Sequence, residues 1–251
     1  MNNKTLTVLF FIFISSCSWT QVVKDSTKID FNKKYQFKYK QIIIPTVLIS
    51  YGVLAINNNQ LQIFNNEIKE EVGEHIDEKT TIDDFSQYVP LTTSFALNTL
   101  GIKGEHNLKD KTIIATTSSL IMGMAVVGIK NSSNIERPDG TSLTSFPSGH
   151  TATAFMGAEL LYQEYKNVSI WYGISGYIVA TGTGVFRMLN NRHWLSDVVA
   201  GAGIGILSTK VGYWIFPSIK KIVSKSGTSS KTVFLPYYNG KVVGIGLVSQ
   251  F

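Results

Sequence analysis

The sequence predicts an all-α fold, a bundle of about six helices with a short C-terminal β-hairpin. Three observations predict it. Six apolar stretches of 16–24 residues recur between residues 41 and 216, each long enough for a packed helix. Strand-like residues are confined to the C-terminal end. Apolar residues make up 44% of the 251-residue chain and charged residues only 16%, against a usual charged share of about 25%. That balance excludes a disordered chain. A single Cys excludes an internal disulfide framework and a multi-cysteine zinc site. Four His leave little material for a polyhistidine metal centre. Mean hydropathy of +0.10 is low for helices bathed wholly in lipid. A net charge of +6 and a pI of about 9.2 suit an anionic partner such as a phosphate or an acidic lipid surface. No nucleic-acid partner is expected.

Each element follows from a local pattern. Residues 1–20 carry Lys4, an apolar run from Leu6 to Ile14 and then small residues. This is the pattern of a secretory signal, and the run is about half the roughly 20 residues that a span needs. Ile14-Ser15-Ser16-Cys17 also resembles a bacterial lipobox, which would make Cys17 a lipidated first residue. Residues 21–40 hold six Lys against two Asp and read as a basic surface arm. Gln41–Ile56 is the first apolar helix, with Pro45 near its start. Residues 57–84 carry eight acidic residues against two Lys, yet Leu61, Phe64, Ile68, Val72 and Ile76 recur at helical spacing. That predicts a charged helix with one apolar stripe. Phe85–Ile102, interrupted by Pro90, and Thr112–Ile129 are the second and third apolar helices. His150–Tyr165, Val168–Phe186 and His193–Phe216 follow. Glu159, Gln163, Glu164 and Lys210 interrupt these helices and fit helix-on-helix packing better than lipid contact. The segment from 218 is basic and then strand-like, with Asn239-Gly240 between Thr232–Tyr238 and Lys241–Gln250 as a hairpin signal.

Three clusters carry chemistry: Lys130 with Arg137-Pro138, then Pro147-Ser148-Gly149-His150, then Arg187 with His193 and Asp197. Each lies at the end of an expected helix. In an up-down bundle the end of the third helix, the start of the fourth, the end of the fifth and the start of the sixth share one face. Connectivity alone therefore gathers three cations, two His and a Ser-Gly turn. Arg137 and Arg187 can each fork two N–H donors onto phosphoryl oxygens, and Lys130 adds a compact charge. Ser148 can cap the fourth helix, whose first N–H groups face an anion, and Gly149 permits close approach. His193 and Asp197 are four apart, hence on one helix face. The carboxylate can hold one ring nitrogen and leave the other as a nucleophile. His150 is then free to protonate a leaving oxygen. This chemistry needs no metal and no cofactor, because the three cations can stabilise charge developing on phosphoryl oxygens.

The three clusters resemble the signature of the type-2 phosphatidic acid phosphatase superfamily, which includes bacterial acid phosphatases and vanadium haloperoxidases. That pattern is Lys, six residues, Arg-Pro; Pro-Ser-Gly-His; and Ser-Arg, five residues, His, three residues, Asp. Phe186 stands where the family usually has Ser, which removes one hydroxyl but leaves Arg187 in register. The resemblance covers roughly 110–217, and the helix count extends it over 41–217 as one domain. It implies a six-helix bundle of the phosphatidic acid phosphatase type 2/haloperoxidase kind. It also implies attack by His193 to give a phosphohistidine, orientation by Asp197 and general acid catalysis by His150. Lys130, Arg137, Arg187, Ser148 and Gly149 would bind phosphate.

Singly, each of these residues has a structural explanation: a helix-end cation, a cap, an interfacial histidine. Their joint spacing is what argues for a site. His75 and His106 are expected to be non-catalytic, and Trp194 to pack the start of the sixth helix. The acidic run is expected to be a solvated face, or else to restrict access to the site. The expected substrate is a phosphorylated envelope lipid, the alternatives being a small phosphoester or a non-catalytic phosphate-binding role. Basic segments opposite the active face place that face away from the cytoplasm. A cleaved signal, however, would leave residues 21–40 on the same outer side if helix 41–56 crossed once with five more spans. The expectation is therefore an exported, membrane-associated protein with a periplasm-facing site, whether or not its helices span.

Overall fold

The computed structural model describes residues 39–73, 81–226, 231–238 and 243–250. The signal-like and basic N-terminal segments, His75, Ile76 and Cys17 lie outside the described residues. Eight helices are present among those described: α1 Lys40–Asn57, α2 Asn59–Gly73, α3 Ile82–Ser86, α4 Val89–Thr99, α5 Leu108–Ser133, α6 Gly149–Tyr165, α7 Ile170–Leu189 and α8 Leu195–Ser226. Two strands follow, β1 Lys231–Tyr238 and β2 Val243–Gln250, antiparallel from Lys231↔Gln250 to Tyr238↔Val243. Residues 239–242 between them lie outside the described set.

The boundaries follow local chemistry. The expected helix 85–102 is two helices, and Pro90 stands in the first turn of the second, α4, where its missing N–H leaves no bond unmade. α5 starts four residues earlier than its apolar run, because the Asn107 side chain accepts from the Asp110 N–H at 2.9 Å. It ends at Asn134, which takes a left-handed conformation with φ 48°. Ser169 caps α7, accepting from Trp171 N–H. α8 runs past the expected end, with Pro217 inside it.

α6 and α8 are the centre of the bundle. α6 is buried along most of its length, including Ala152, Ala154, Met156, Ala158, Leu160 and Leu161. The two helices touch through glycine. A Cβ on Gly201 would stand 2.5 Å from the Ser148 carbonyl, and one on Gly205 2.3 Å from the Ala152 carbonyl. Only glycine permits backbones that close. Buried charged groups at the far end of the bundle are paired. Fully buried Lys111 donates to the Ser94 carbonyl and the Tyr165 hydroxyl, each at 3.0 Å. Glu164 accepts from Tyr213 at 2.6 Å and from the His106 backbone at 3.0 Å, and it pairs with His106 Nδ1 at 2.7 Å. Glu159 pairs with Lys210 at 2.6 Å and also accepts from Tyr177.

α1, α5 and Leu195–Val223 of α8 are each long and apolar enough to cross a membrane. Ile44 and Leu54 of α1, Leu120 and Met124 of α5, and Trp171 and Ile178 of α7 are exposed apolar side chains on the outside. This surface belongs to a membrane-associated protein. α2 differs from its sequence pattern. Its buried residue is Asn65, whereas Phe64 of the apolar stripe is exposed. Asn65 bonds Ser196 twice, donating to Oγ at 3.0 Å and accepting from the backbone N–H at 3.3 Å. α2 therefore docks on the start of α8 through an amide.

Candidate phosphate-binding site

The site forms where four helix ends meet. Ser148 precedes α6, and its backbone N–H donates to the Asp197 carbonyl in the first turn of α8 at 3.0 Å. Its side chain is wholly buried. Ser148 Oγ accepts from Thr151 N–H and lies 2.9 Å from Thr151 Oγ1, so it caps α6. A Cβ on Gly149 would meet only Val126, at 3.6 Å. Protein packing therefore does not require glycine there, and the backbone beside it is left open.

Asp197 is held through one of its two oxygens, the other being buried without a protein partner. One oxygen, Oδ2, accepts from Ser145 Oγ at 2.5 Å and Trp194 N–H at 2.9 Å, and faces His193 Nδ1 at 3.4 Å. His193 is buried. Desolvation pushes its pKa down to about 4, Asp197 opposes that shift, and Arg187 and Lys130 add to it. Its imidazole is thus neutral at neutral pH, with Nδ1 turned to the carboxylate and Nε2 left for chemistry. Trp194 packs beside it as expected of an interface aromatic, donating Nε1–H to the Glu136 carbonyl at 2.8 Å under the Lys69 ammonium.

Two of the cations, Arg187 and Lys130, act on this histidine. Lys130, in the last turn of α5, donates to the Thr144 carbonyl at 2.5 Å and the Ser145 carbonyl at 3.3 Å. It thereby ties α5 to the loop that delivers Pro147 and Ser148. Arg137 and Arg187 each have a buried Nε with no protein partner. A buried, unpaired guanidinium donor is costly, and two arginines carrying one line a single cavity, which is thereby a candidate place for an anion. That cavity, about 320 Å³, is lined by Asp83, Asp84, Arg137, His150, Arg187 and Arg192 among others. Burial lowers the Arg137 pKa, and Arg187 and Arg192 lower it further. His150 is likewise held below the usual histidine value, first by burial and then by Arg187, with Asp84 pulling the other way. A second cavity, about 470 Å³, is lined by Asn65, Glu136, Trp194 and Asp197 but by none of the three motif cations.

Of the eight residues singled out in the sequence, Arg137, His150 and Arg187 line the first cavity and Asp197 the second, while Lys130, Ser148, Gly149 and His193 line neither. Sequence reasoning missed Asp83, Asp84, Ser145, Asn190 and Arg192. Asp83 pairs with Arg187 Nη1 at 2.5 Å and accepts from Asn190 Nδ2 at 2.9 Å, while Asp84 Oδ1 lies 3.0 Å from His150 Nε2. The acidic run does reach the site, through its last two residues. Arg192 adjoins His193 in sequence, and that adjacency was the one available signal. Asp83, Asp84 and His150 offer three ligand atoms within 4.8 Å. Both oxygens of Asp83 are already committed, however, and the Arg187 guanidinium stands where a metal cation would be repelled.

The fold and site define a membrane-associated helical protein with a cavity at converging helix ends that is lined by three arginines, a histidine and two aspartates. Residues 112–221 match the model of the PAP2 superfamily. Among curated relatives, a lipid A 1-phosphatase of Porphyromonas gingivalis is 46% identical over 137 residues, which is 54% of this chain and 31% of that protein. A bacitracin transport permease protein, BcrC, of Bacillus licheniformis is 32% identical over 78 residues, 31% of this chain and 36% of that protein. The chain thus spans about a third of the length of each curated relative. The crystal structure of Aquifex aeolicus LpxE aligns with 59% of this chain and 94% of its own, at 22% identity and a TM-score of 0.47.

Proposed function

We propose that the protein is a metal-independent phosphatase of an envelope lipid, acting through a phosphohistidine, with no cofactor. The observation that carries this reading is the pair of unpartnered buried Nε atoms on Arg137 and Arg187, beside a neutral histidine braced by a carboxylate. Arg137, Arg187 and Lys130, with the N–H groups at Ser148 and Gly149, bind the phosphoryl oxygens. His193 Nε2 attacks phosphorus, and the P–O bond to the lipid breaks in line. His150, protonated, gives its proton to the departing oxygen. The positive charge that His193 gains is held by Asp197. His150 then takes a proton from water, whose oxygen attacks the phosphohistidine. The P–N bond breaks, phosphate leaves and His193 returns neutral.

The exposed apolar faces of α1, α5 and α7 support a lipid substrate, because they hold the site at a bilayer surface. The Porphyromonas relative's name makes a lipid A 1-phosphate the first substrate to test. In this reading residues 41–217 are the catalytic domain built on six principal helices. Residues 1–20 direct export, 21–40 form a basic arm, the site opens to the periplasm, and 218–251 end in a hairpin. The test is phosphate release from a panel of envelope lipid phosphates in mixed micelles, with EDTA and with orthovanadate. The reading expects EDTA-resistant, vanadate-sensitive turnover of a lipid. Faster turnover of water-soluble esters than of any lipid would replace it with a general acid phosphatase. Vanadate binding without turnover would replace it with a binding module.

A further inference from the structure

Asp83 belongs to none of the three clusters, yet it is 1% exposed and lies against the pocket. It sits on α3, which is fixed over α7. Ser86 Oγ is 2.8 Å from Thr183 Oγ1, and the buried Gln87 side chain donates to the Asp84 carbonyl at 2.9 Å. The Asp83 carboxylate meets the last turn of α7 twice. Oδ2 takes Arg187 Nη1 at 2.5 Å, and Oδ1 takes Asn190 Nδ2 at 2.9 Å. The Asn190 bond fixes the plane of the carboxylate, and the carboxylate in turn fixes the guanidinium.

The plainer explanation is an ion pair that pins α3 to α7. Such a pair would be expected to satisfy the guanidinium. Instead, among the described residues, its carboxylate contacts run through Nη1, to Asp83 and at 3.9 Å to Asp84, and Arg187 Nε is buried without a partner, as is Nε of Arg137, a residue that lines the same cavity. A guanidinium held at Nη1 presents its Nε-bearing edge in one orientation, and that edge is the one suited to a bidentate grip on a phosphoryl group. We propose that Asp83 is a positioning residue, clamping Arg187 so that its free edge meets the phosphoryl oxygens of the substrate. The proposal rests on the phosphate-site reading above.

The sign of the effect separates positioning from simple charge. Deleting a carboxylate beside an anion site should tighten anion binding if only Coulomb's law acts. Loss of positioning should weaken it. Orthovanadate serves as a phosphoryl mimic on the full-length protein in detergent, its affinity measured by calorimetry. Asp83→Asn is expected to weaken vanadate by about tenfold or more, the scale on which misplaced binding groups lose function. In an Arg187→Lys background the same change should alter affinity by less than about twofold, because the two act as one unit. Equal losses in both backgrounds, no loss, or tighter binding would overturn the proposal. If Asp83→Asn does not fold, Asn190→Ala loosens the clamp while keeping the ion pair. It should weaken vanadate several-fold only when Arg187 is present, and an unchanged affinity there would overturn the proposal. If Arg187→Lys binds vanadate as well as the unmodified protein does, the phosphate-site reading itself fails, which is a different result.

Discussion

The Ser148 backbone N–H donates to the carbonyl oxygen of Asp197 at 3.0 Å. This bond joins the start of α6 to the first turn of α8, and so joins the Ser-Gly-His turn to the His193–Asp197 pair. It exists because Gly201, one turn further along α8, leaves room for the Ser148 carbonyl.

Gly201→Ala should therefore injure the site from behind. The new methyl would stand 2.5 Å from the Ser148 carbonyl and push α6 away from α8. Overpacking of this kind costs about 1–3 kcal/mol. The expected result is a lowered melting temperature together with a loss of turnover beyond what the unfolded fraction explains. Gly149→Ala is the comparison. Its Cβ meets only Val126 at 3.6 Å, so the melting temperature should hold while vanadate affinity falls.

Asp197 makes a graded prediction. His193→Ala removes the proposed nucleophile, and activity should fall by about 1,000-fold or more. Ser145→Ala removes only one of the contacts that hold Asp197 Oδ2, and a loss of roughly tenfold is expected, as for other groups that orient a reactive histidine. Acid-labile phosphoprotein trapped by rapid quench should be present in Ser145→Ala and absent from His193→Ala.

The pH profile follows from His150. As the general acid it must be protonated, so kcat/KM of the free enzyme should fall as pH rises through its pKa. Burial and Arg187 hold that pKa below 6.5, which places the alkaline limb on the acid side of pH 6.5. The charged groups acting on it are Arg187 of α7 and Asp83 and Asp84 of α3, and the aspartates raise its pKa. Asp84→Asn removes the carboxylate that bonds Nε2 and should move the limb to still lower pH. A limb that moves upward, or stays in place, would show that Asp84 does not govern His150.

His193 links pH to stability. It titrates near 6.5 when unfolded and near 4 when folded, because burial penalises its charged form. Between those values the unfolded chain binds the extra proton, so stability rises with pH and is lost as pH falls from 6.5 toward 4. His193→Gln should flatten that part of a melting-temperature profile and leave the neutral side little changed.

The far end of α6 predicts scaffold behaviour instead. Glu164→Leu leaves Lys111, which is wholly buried, without its carboxylate neighbour and strips acceptors from His106 and Tyr213. Breaking one side of a buried ion pair costs roughly 3–5 kcal/mol. The melting temperature should drop sharply, while vanadate affinity of the protein that remains folded stays near normal.

Most of the site was legible because its residues sit at ends of long apolar runs, where 3.6-residue periodicity and loop lengths dictate which ends share a face. Lys130, Ser148, Arg187 and His193 were found that way. Asp83 and Asp84 were not, because they lie on a five-residue helix with no periodicity to read. Their carboxylates looked like part of a solvated acidic run. Asn65 was hidden for a similar reason, since an apolar stripe beside it predicted the opposite helix face.

By itself, the order of residues determined the helical class, the cationic clusters and the His193–Asp197 pairing, all of which depend on spacing along one helix or on which helix ends must meet. Only the tertiary structure decided which carboxylate holds Arg187, which edge of that guanidinium is left open and how closely α6 approaches α8. Those are contacts between residues far apart in sequence. They are set by a bond angle, a missing Cβ or a buried partner, and no local period records them.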